Sequence, residues 1–195
     1  MYQNTLTLNN GVKIQQLGLG TWFIPDDQAA EAVKAAVALG YRHIDTAQAY
    51  GNERGVGDGV RTCGVPREEL FVVSKVAAEH KTYESAAASI DETLAKMGLD
   101  YLDMMIIHSP IAHGEILNQP QIKEMADKYG VSVPQLCIRY TLQLGAISLP
   151  KTGKPAHMKT NADVDFEISA EDMEVLKHFK KIESYGANSG FPVYG

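Results

Sequence analysis

Residues 26–53 read DDQAAEAVKAAVALGYRHIDTAQAYGNE. Ala30, Val33 and Val37 recur at helical spacing, Asp26 or Asp27 stands where an N-cap belongs, and Gly40 stops the run, so a helix is predicted over the first half. YRHIDTA changes period, as a strand does, and ends in Asp45. Five residues on, Tyr50 lies in a Gly-containing loop. A helix followed directly by a strand with an acid at its end is half of an alternating α/β unit. Whether the alternation continues decides the fold.

It does continue on both sides. TLTL–NNG–VKIQQ reads as a hairpin with its turn at Asn10-Gly11. QLGLGTWF reads as a short strand running into a loop. After Asp45 come NERGVGDGVR, a poor helix because of its three glycines, and LFVVSKV, a β-branched strand with Lys75 near its end. TYESAAASIDETLAKMG is a helix with Ile90, Leu94 and Met97 in register, and YLDMMIIHS is a strand ending in His108. QPQIKEMADKYG and SVPQLCIRYTLQLG are helices closed by glycine, AISLPKT is a strand, and SAEDMEVLKHFKKI is a capped final helix. The tail ESYGANSGFPVYG reads as a loop laid over the rest. Such alternation predicts parallel strands covered by helices, with ligands bound at the strands' carboxyl ends.

Composition narrows the class. With 195 residues, 45% hydrophobic and 22% charged, one soluble globular domain spanning residues 1–195 is expected. A net charge of −6 leaves no basic footprint for nucleic acid, and no run suits a membrane. Cys63 and Cys137 are too few for a disulfide framework, and MYQNTLTLNN lacks a signal-peptide pattern, so a reducing, cytoplasmic location is expected.

Asp45, Lys75 and His108 each stand at or beside a strand's carboxyl end, and Tyr50 lies in the loop after one of them. Each alone is a polar residue ending a strand; together they have complementary chemistry. A phenol is a weak acid, and a neighbouring ammonium lowers its pKa. Lys75 would supply the charge, Asp45 would hold Lys75, and His108 would orient a carbonyl oxygen against Tyr50. That assembly protonates a carbonyl oxygen, and the hydride must come from a nicotinamide cofactor, since no side chain carries one.

GLGTW (18–22), GYRHIDTAQAYGNE (40–53), VVSKV (72–76), IIHSP (106–110) and LPKTGKPAHMKTN (149–161) resemble, in order, the motifs of the aldo-keto reductases of prokaryotic type. The resemblance implies a (β/α) TIM-barrel fold and NADPH-dependent reduction of small carbonyl compounds. It makes Tyr50 the general acid, with Asp45, Lys75 and His108 around it, and it makes Trp22 a wall of the substrate pocket with Tyr50 and His108. It further implies cofactor contacts from Gly20, Thr21, Asp45, Ser109, Ile111 and Gly114. Lys151 and Thr152 would lie at the adenosine 2′-phosphate, and Lys154, His157 and Asn161 about the same ribose and adenine. His157 stands where the family commonly has Arg.

A complete barrel takes about 250 residues, and this chain has 195. The chain follows the family's fourth strand to Ser109-Pro110, then its loop after the seventh from Ser109 to Ala112. An internal deletion is therefore expected at about 110/111, leaving about five barrel strands of eight. A chain folded like the complete enzyme would be monomeric; a truly shortened sheet would expose edges and invite self-association. Loss of the nicotinamide bed would leave an impaired enzyme, or a remnant that binds NADPH weakly. GLGTW lacks the third glycine of a Rossmann fingerprint, and GNERGVGDG lacks the Lys-Ser/Thr of a P-loop. His108, His113 and Glu115 fit no metal-ligand spacing, and no metal is expected. A competing reading makes Lys75 the amine of a Schiff-base lyase.

Overall fold

The computed structural model describes residues 2–77, 79–80, 82–107 and 119–179. A two-stranded antiparallel hairpin comes first, β1 (Thr5–Thr7) and β2 (Lys13–Gln15), turning at Gly11 with φ 82°. Four parallel strands follow in the order β3 (Leu19–Gly20), β4 (His43–Asp45), β5 (Phe71–Val76) and β6 (Met104–Ile107). The AISLPKT segment adds a fifth parallel position through single bridges, Leu17 to Ser148 and Gly20 to Lys151. The fold is thus α/β of the β/α-barrel kind, with five parallel chain segments side by side among the described residues.

Registers fix which residues share a level. Gly20 stands opposite Asp45 and Lys151, Asp45 opposite Val73, and Lys75 opposite Ile106. Gly20 is needed because a Cβ there would lie 2.6 Å from the Leu149 carbonyl oxygen. A side chain would push the last strand segment off the first.

Among the described residues seven helices, numbered in chain order, pack on this frame: α1 (Asp26–Ala38), α2 (Glu53–Thr62), α3 (Tyr83–Met97), α4 (Pro120–Lys128), α5 (Val133–Gln143), α6 (Pro155–Ala162) and α7 (Ala170–Lys177). The main core joins Ala29, Val33 and Val37 of α1 to Ile44, Val72, Val56 and Met97. A second cluster gathers Ile122, Leu136, Ile168 and Met173 from the carboxyl-terminal helices. Ile14 of the hairpin packs with Phe71 and Val73, closing the inner face of the sheet at its amino end.

Three local expectations are corrected. Pro25, not Asp26 or Asp27, is the N-cap of α1, and no side chain caps it. Asp26 instead pairs with Arg54 and accepts a hydrogen bond from the Gly55 amide at 2.7 Å, so it caps the first turn of α2. The glycines of α2 do not weaken that helix in place. Gly55 and Gly59 lie against α1 and Gly57 against the Met97 backbone, where a Cβ would clash. Close packing outweighs low propensity here. Finally, α3 buries Ser89 and Thr93 with Met97, while Ile90 and Leu94 are only half-buried. The reason lies in the site.

Candidate active site

The carboxyl end of β4 delivers Asp45, and the next turn, a 3-10 turn over Gln48–Tyr50, delivers Tyr50. Gly51, at φ 68°, reverses the chain behind the phenol. Lys75 arrives from β5. All three meet. The Lys75 Nζ donates to Asp45 Oδ2 at 2.6 Å, to the Thr46 carbonyl at 2.8 Å and to the Tyr50 hydroxyl at 3.3 Å. An ammonium has three N–H groups, and each has a partner. The Nζ also lies 4.9 Å from the Tyr50 ring centre.

Electrostatics at this cluster differ from the simple expectation. Burial raises the Asp45 carboxyl above its ordinary value, while the Lys75 charge and hydrogen bond work the other way. The Tyr50 phenol is pushed up to about 12, first by burial and then by the Asp45 charge. An acidified phenol was the expectation, and the structure reverses the sign. Lys75 faces Asp45 at 2.6 Å, so the phenol meets an ion pair rather than a lone cation.

Trp22 is half-buried beside the cluster, with ring centroids 6.3 Å from Tyr50 and 28° between planes. Thr21 is buried, and its amide and hydroxyl both bond the Asp45 carbonyl, at 3.0 and 2.9 Å. Lys151 and Thr152 continue the segment beside Gly20, so they reach the same end of the sheet. The Lys151, Lys154 and His157 side chains are exposed around the start of α6, whereas Thr152 and Asn161 are buried. The Thr152 hydroxyl accepts from the Lys154 amide at 3.1 Å, shaping that turn. Three basic side chains at a helix start suit a phosphate group. His108, Ser109, Ile111, Gly114, His113, Glu115 and the 110/111 join lie outside the described residues.

Several residues that position the site are not evident from sequence. Asn52, fully buried, donates through Nδ2 to the Thr21 and Ile24 carbonyls at 2.8 and 2.9 Å, and accepts from Thr46 Oγ1 at 2.8 Å. Gln48 accepts from the Ala77 amide at 2.7 Å and donates toward Ser89 and Thr93 of α3. Thr93 and Ser74 in turn donate to the buried Glu53 carboxylate, at 3.1 and 2.7 Å. A polar ring therefore runs from Ser74, next to Lys75, through Glu53, Thr93 and Gln48, to Ala77, two residues past Lys75. It explains why α3 turns hydroxyls inward. The sequence signal was faint: Ser89 and Thr93, four apart, in line with Met97 on an amphipathic helix.

Comparison with known proteins bears on the family and the fold. The Aldo/keto reductase family model matches residues 15–120 and 117–181. A glyoxal reductase of Bacillus subtilis is 30% identical over 265 residues, spanning 95% of this chain and 96% of its own. A 9,11-endoperoxide prostaglandin H2 reductase of Trypanosoma cruzi is 28% identical, spanning 95% of this chain and 94% of its own. An aldo/keto reductase of Brucella melitensis superposes with a TM-score of 0.82 at 27% identity, covering 90% of this chain and 98% of that one. The Bacillus alignment spans 265 residues and this chain has 195, so at least 70 positions of that relative have no counterpart here.

Proposed function

The chain belongs to the aldo/keto reductase family, and from that premise we propose that it reduces aldehydes or ketones to alcohols with NADPH, Tyr50 giving the proton. The observation that carries this reading is the single Lys75 nitrogen bonded at once to Asp45, Thr46 and Tyr50. It fixes the phenolic oxygen at the carboxyl end of the sheet, where a carbonyl oxygen can meet it.

A phenol at about 12 keeps its proton throughout the neutral range. It is still a far stronger acid than water, whose pKa is about 15.7, and an alkoxide is a base of hydroxide's kind. Proton transfer to a forming alkoxide is therefore downhill even with the raised value. Lys75, already bonded to the phenolic oxygen, stabilises the phenolate left behind. His108 is proposed to orient the carbonyl oxygen.

NADPH would supply hydride. Lys151, Lys154 and His157 would meet its 2′-phosphate as point charges, with Thr152 and Asn161 beside them; two lysines favour NADPH over NADH. Gly20, Thr21 and Asp45 would line its approach, with Ser109, Ile111 and Gly114. Two free, half-buried cysteines support a reducing, cytoplasmic setting, and among the described residues no helix is long and apolar enough to cross a membrane.

Replacing Tyr50 by Phe tests the acid. The expected result is a fall in aldehyde reduction of about 10²- to 10⁴-fold, with NADPH affinity nearly unchanged. Reduction at the original rate would remove Tyr50 from its role.

The 70 or more positions without counterpart favour a second reading, in which the chain holds NADPH by its adenosine end and turns over slowly. The two matched segments of the family model meet at 117–120, close to the proposed join at 110/111. NADPH fluorescence titration beside turnover separates the readings: weak binding with little turnover supports the impaired form. The Schiff-base alternative needs a free lone pair on Lys75, and all three of its N–H groups are engaged.

A further inference from the structure

Phe23 stands in the wrong conformation for its residue type. The Ile24 amide bonds the Thr21 carbonyl at 3.0 Å, closing a four-residue turn whose third residue, Phe23, has φ 59°. It is the one non-glycine among the described residues with positive φ. Turns of this kind ordinarily place Gly or Asn there, because a Cβ crowds the backbone. Burial does not explain the choice, for Phe23 is 73% exposed. A bulky apolar side chain that is both strained and solvated points to a role other than packing.

Its neighbours indicate what. The Phe23 ring stacks on Trp22 with centroids 4.4 Å apart and 25° between planes, and Trp22 in turn faces Tyr50. The three rings form a row that ends at the phenol. The turn carrying the row is held at both ends: Asn52 bonds the Thr21 and Ile24 carbonyls, and Thr21 bonds the Asp45 carbonyl through amide and hydroxyl. Strain persists only where surroundings over-determine it, and here they do. The Phe23 ring is thereby fixed relative to Tyr50, its outer surface open.

We propose that Phe23 is a specificity residue that selects carbonyl compounds bearing a flat, apolar group, the group lying along the Phe23–Trp22 rings while the carbonyl oxygen reaches Tyr50. The placement of the carbonyl rests on the reductase reading; the aromatic recognition does not. Stacking of flat groups on an exposed ring is favourable and tolerant of detail, so the preference is for a shape class rather than one compound.

Trp22 is the only tryptophan in the chain, so tryptophan emission, excited selectively over the nine tyrosines, reports on this row alone. The experiment titrates wild type, Phe23→Gly and Phe23→Asn with 4-nitrobenzaldehyde, and follows NADPH-dependent reduction of 4-nitrobenzaldehyde and propanal. Expected are a tenfold or greater loss of Trp22 quenching affinity and of kcat/KM for the aromatic aldehyde in both variants. For propanal the change stays within twofold, and the melting temperature is unchanged or raised because both replacements accept the turn. Equal loss for both aldehydes, or a lowered melting temperature with both lost, would make Phe23 structural and overturn the proposal. No change for either aldehyde would overturn it too. If wild type reduces neither aldehyde, the reductase reading fails, and the quenching titration still decides the role of Phe23.

Discussion

At the scale of residues, the site turns on the relation between one phenol and one ion pair. Asp45 and Lys75 act on Tyr50 with opposite sign, and the raised phenol follows from burial plus the carboxylate. Removing each partner should therefore move the phenol in opposite directions. In Asp45→Asn the Lys75 charge is no longer neutralised, and the Tyr50 pKa should fall from about 12 toward the ordinary phenol value near 10 or below. In Lys75→Met the carboxylate acts alone, and the phenol should stay at about 12 or above. NMR of ring-labelled tyrosine across alkaline pH measures both; movement in the same direction in both variants would refute the opposed-charge account. Residue types at strand ends were legible in sequence, since Asp45, Tyr50 and Lys75 could be named from position alone. The sign of the phenol's shift was not, because it depends on a 2.6 Å separation and on burial, which a string of letters does not carry.

At the scale of elements, helix and strand positions were largely written in caps and glycines. Ser132 and Gln135 form a capping box at α5, Gly98 closes α3 at φ 63°, and Gly40 follows α1 at φ 95°. What escaped were contacts between elements: α2 forms because its glycines fit against α1 and Met97, and the inner line of α3 is Ser89 and Thr93 rather than Ile90 and Leu94. Both depend on a neighbour far along the chain. The Gln48–Thr93–Glu53–Ser74 ring joins the turn of Tyr50 to the strand of Lys75 from behind the site. Gln48→Leu keeps the bulk but leaves the Ala77 amide and Thr93 short of partners. It should destabilise the fold by about 1–3 kcal/mol and lower kcat about ten- to a hundredfold, with KM for NADPH unchanged. A merely structural role would leave the Tyr50 titration where it is; a positioning role shifts it. An unchanged titration with unchanged kcat would remove Gln48 from the site.

At the scale of the whole molecule, the five parallel chain segments among the described residues bring Gly20, Asp45, Val76, Ile107 and Lys151 to one end, which is why Asp45, Tyr50 and Lys75 meet although at least 70 positions of the Bacillus relative have no counterpart in the chain. Alternation gave that much from sequence; the pairing of the last segment with the first did not show until Gly20 was seen against Leu149. Beyond β6 no partner strand stands among the described residues, and Ile106 is 42% exposed there.

The opposite end of the sheet governs how the fold responds to acid. His43 is 1% exposed on β4, its Nδ1 bonded to the Gln15 carbonyl at 3.0 Å and its ring edge-on to Phe71. A carbonyl can only accept, so Nδ1 carries the proton and Nε2 is a buried lone pair without a partner. Burial, with the Lys75 charge adding to it, lowers the ring's pKa to about 4, against pulls upward from Gln15 and Asp103. A folded pKa below the unfolded value of about 6.5 means this contribution is complete above pH 6.5 and is lost as pH falls toward 4, at most about 3 kcal/mol. Asp45, raised by burial, works in the opposite sense as it protonates. Comparing two chains that share Asp45 isolates the histidine. In His43→Asn the side-chain amide can still donate to Gln15 while the titrating group is gone. Wild type should lose roughly 6–12 °C more in melting temperature than the variant between pH 7 and pH 4, at about 2–4 °C per kcal/mol for a chain of this size. Parallel curves for the two chains would show that His43 carries a proton in the folded state at ordinary acidity, and that its buried lone pair is not what acid attacks.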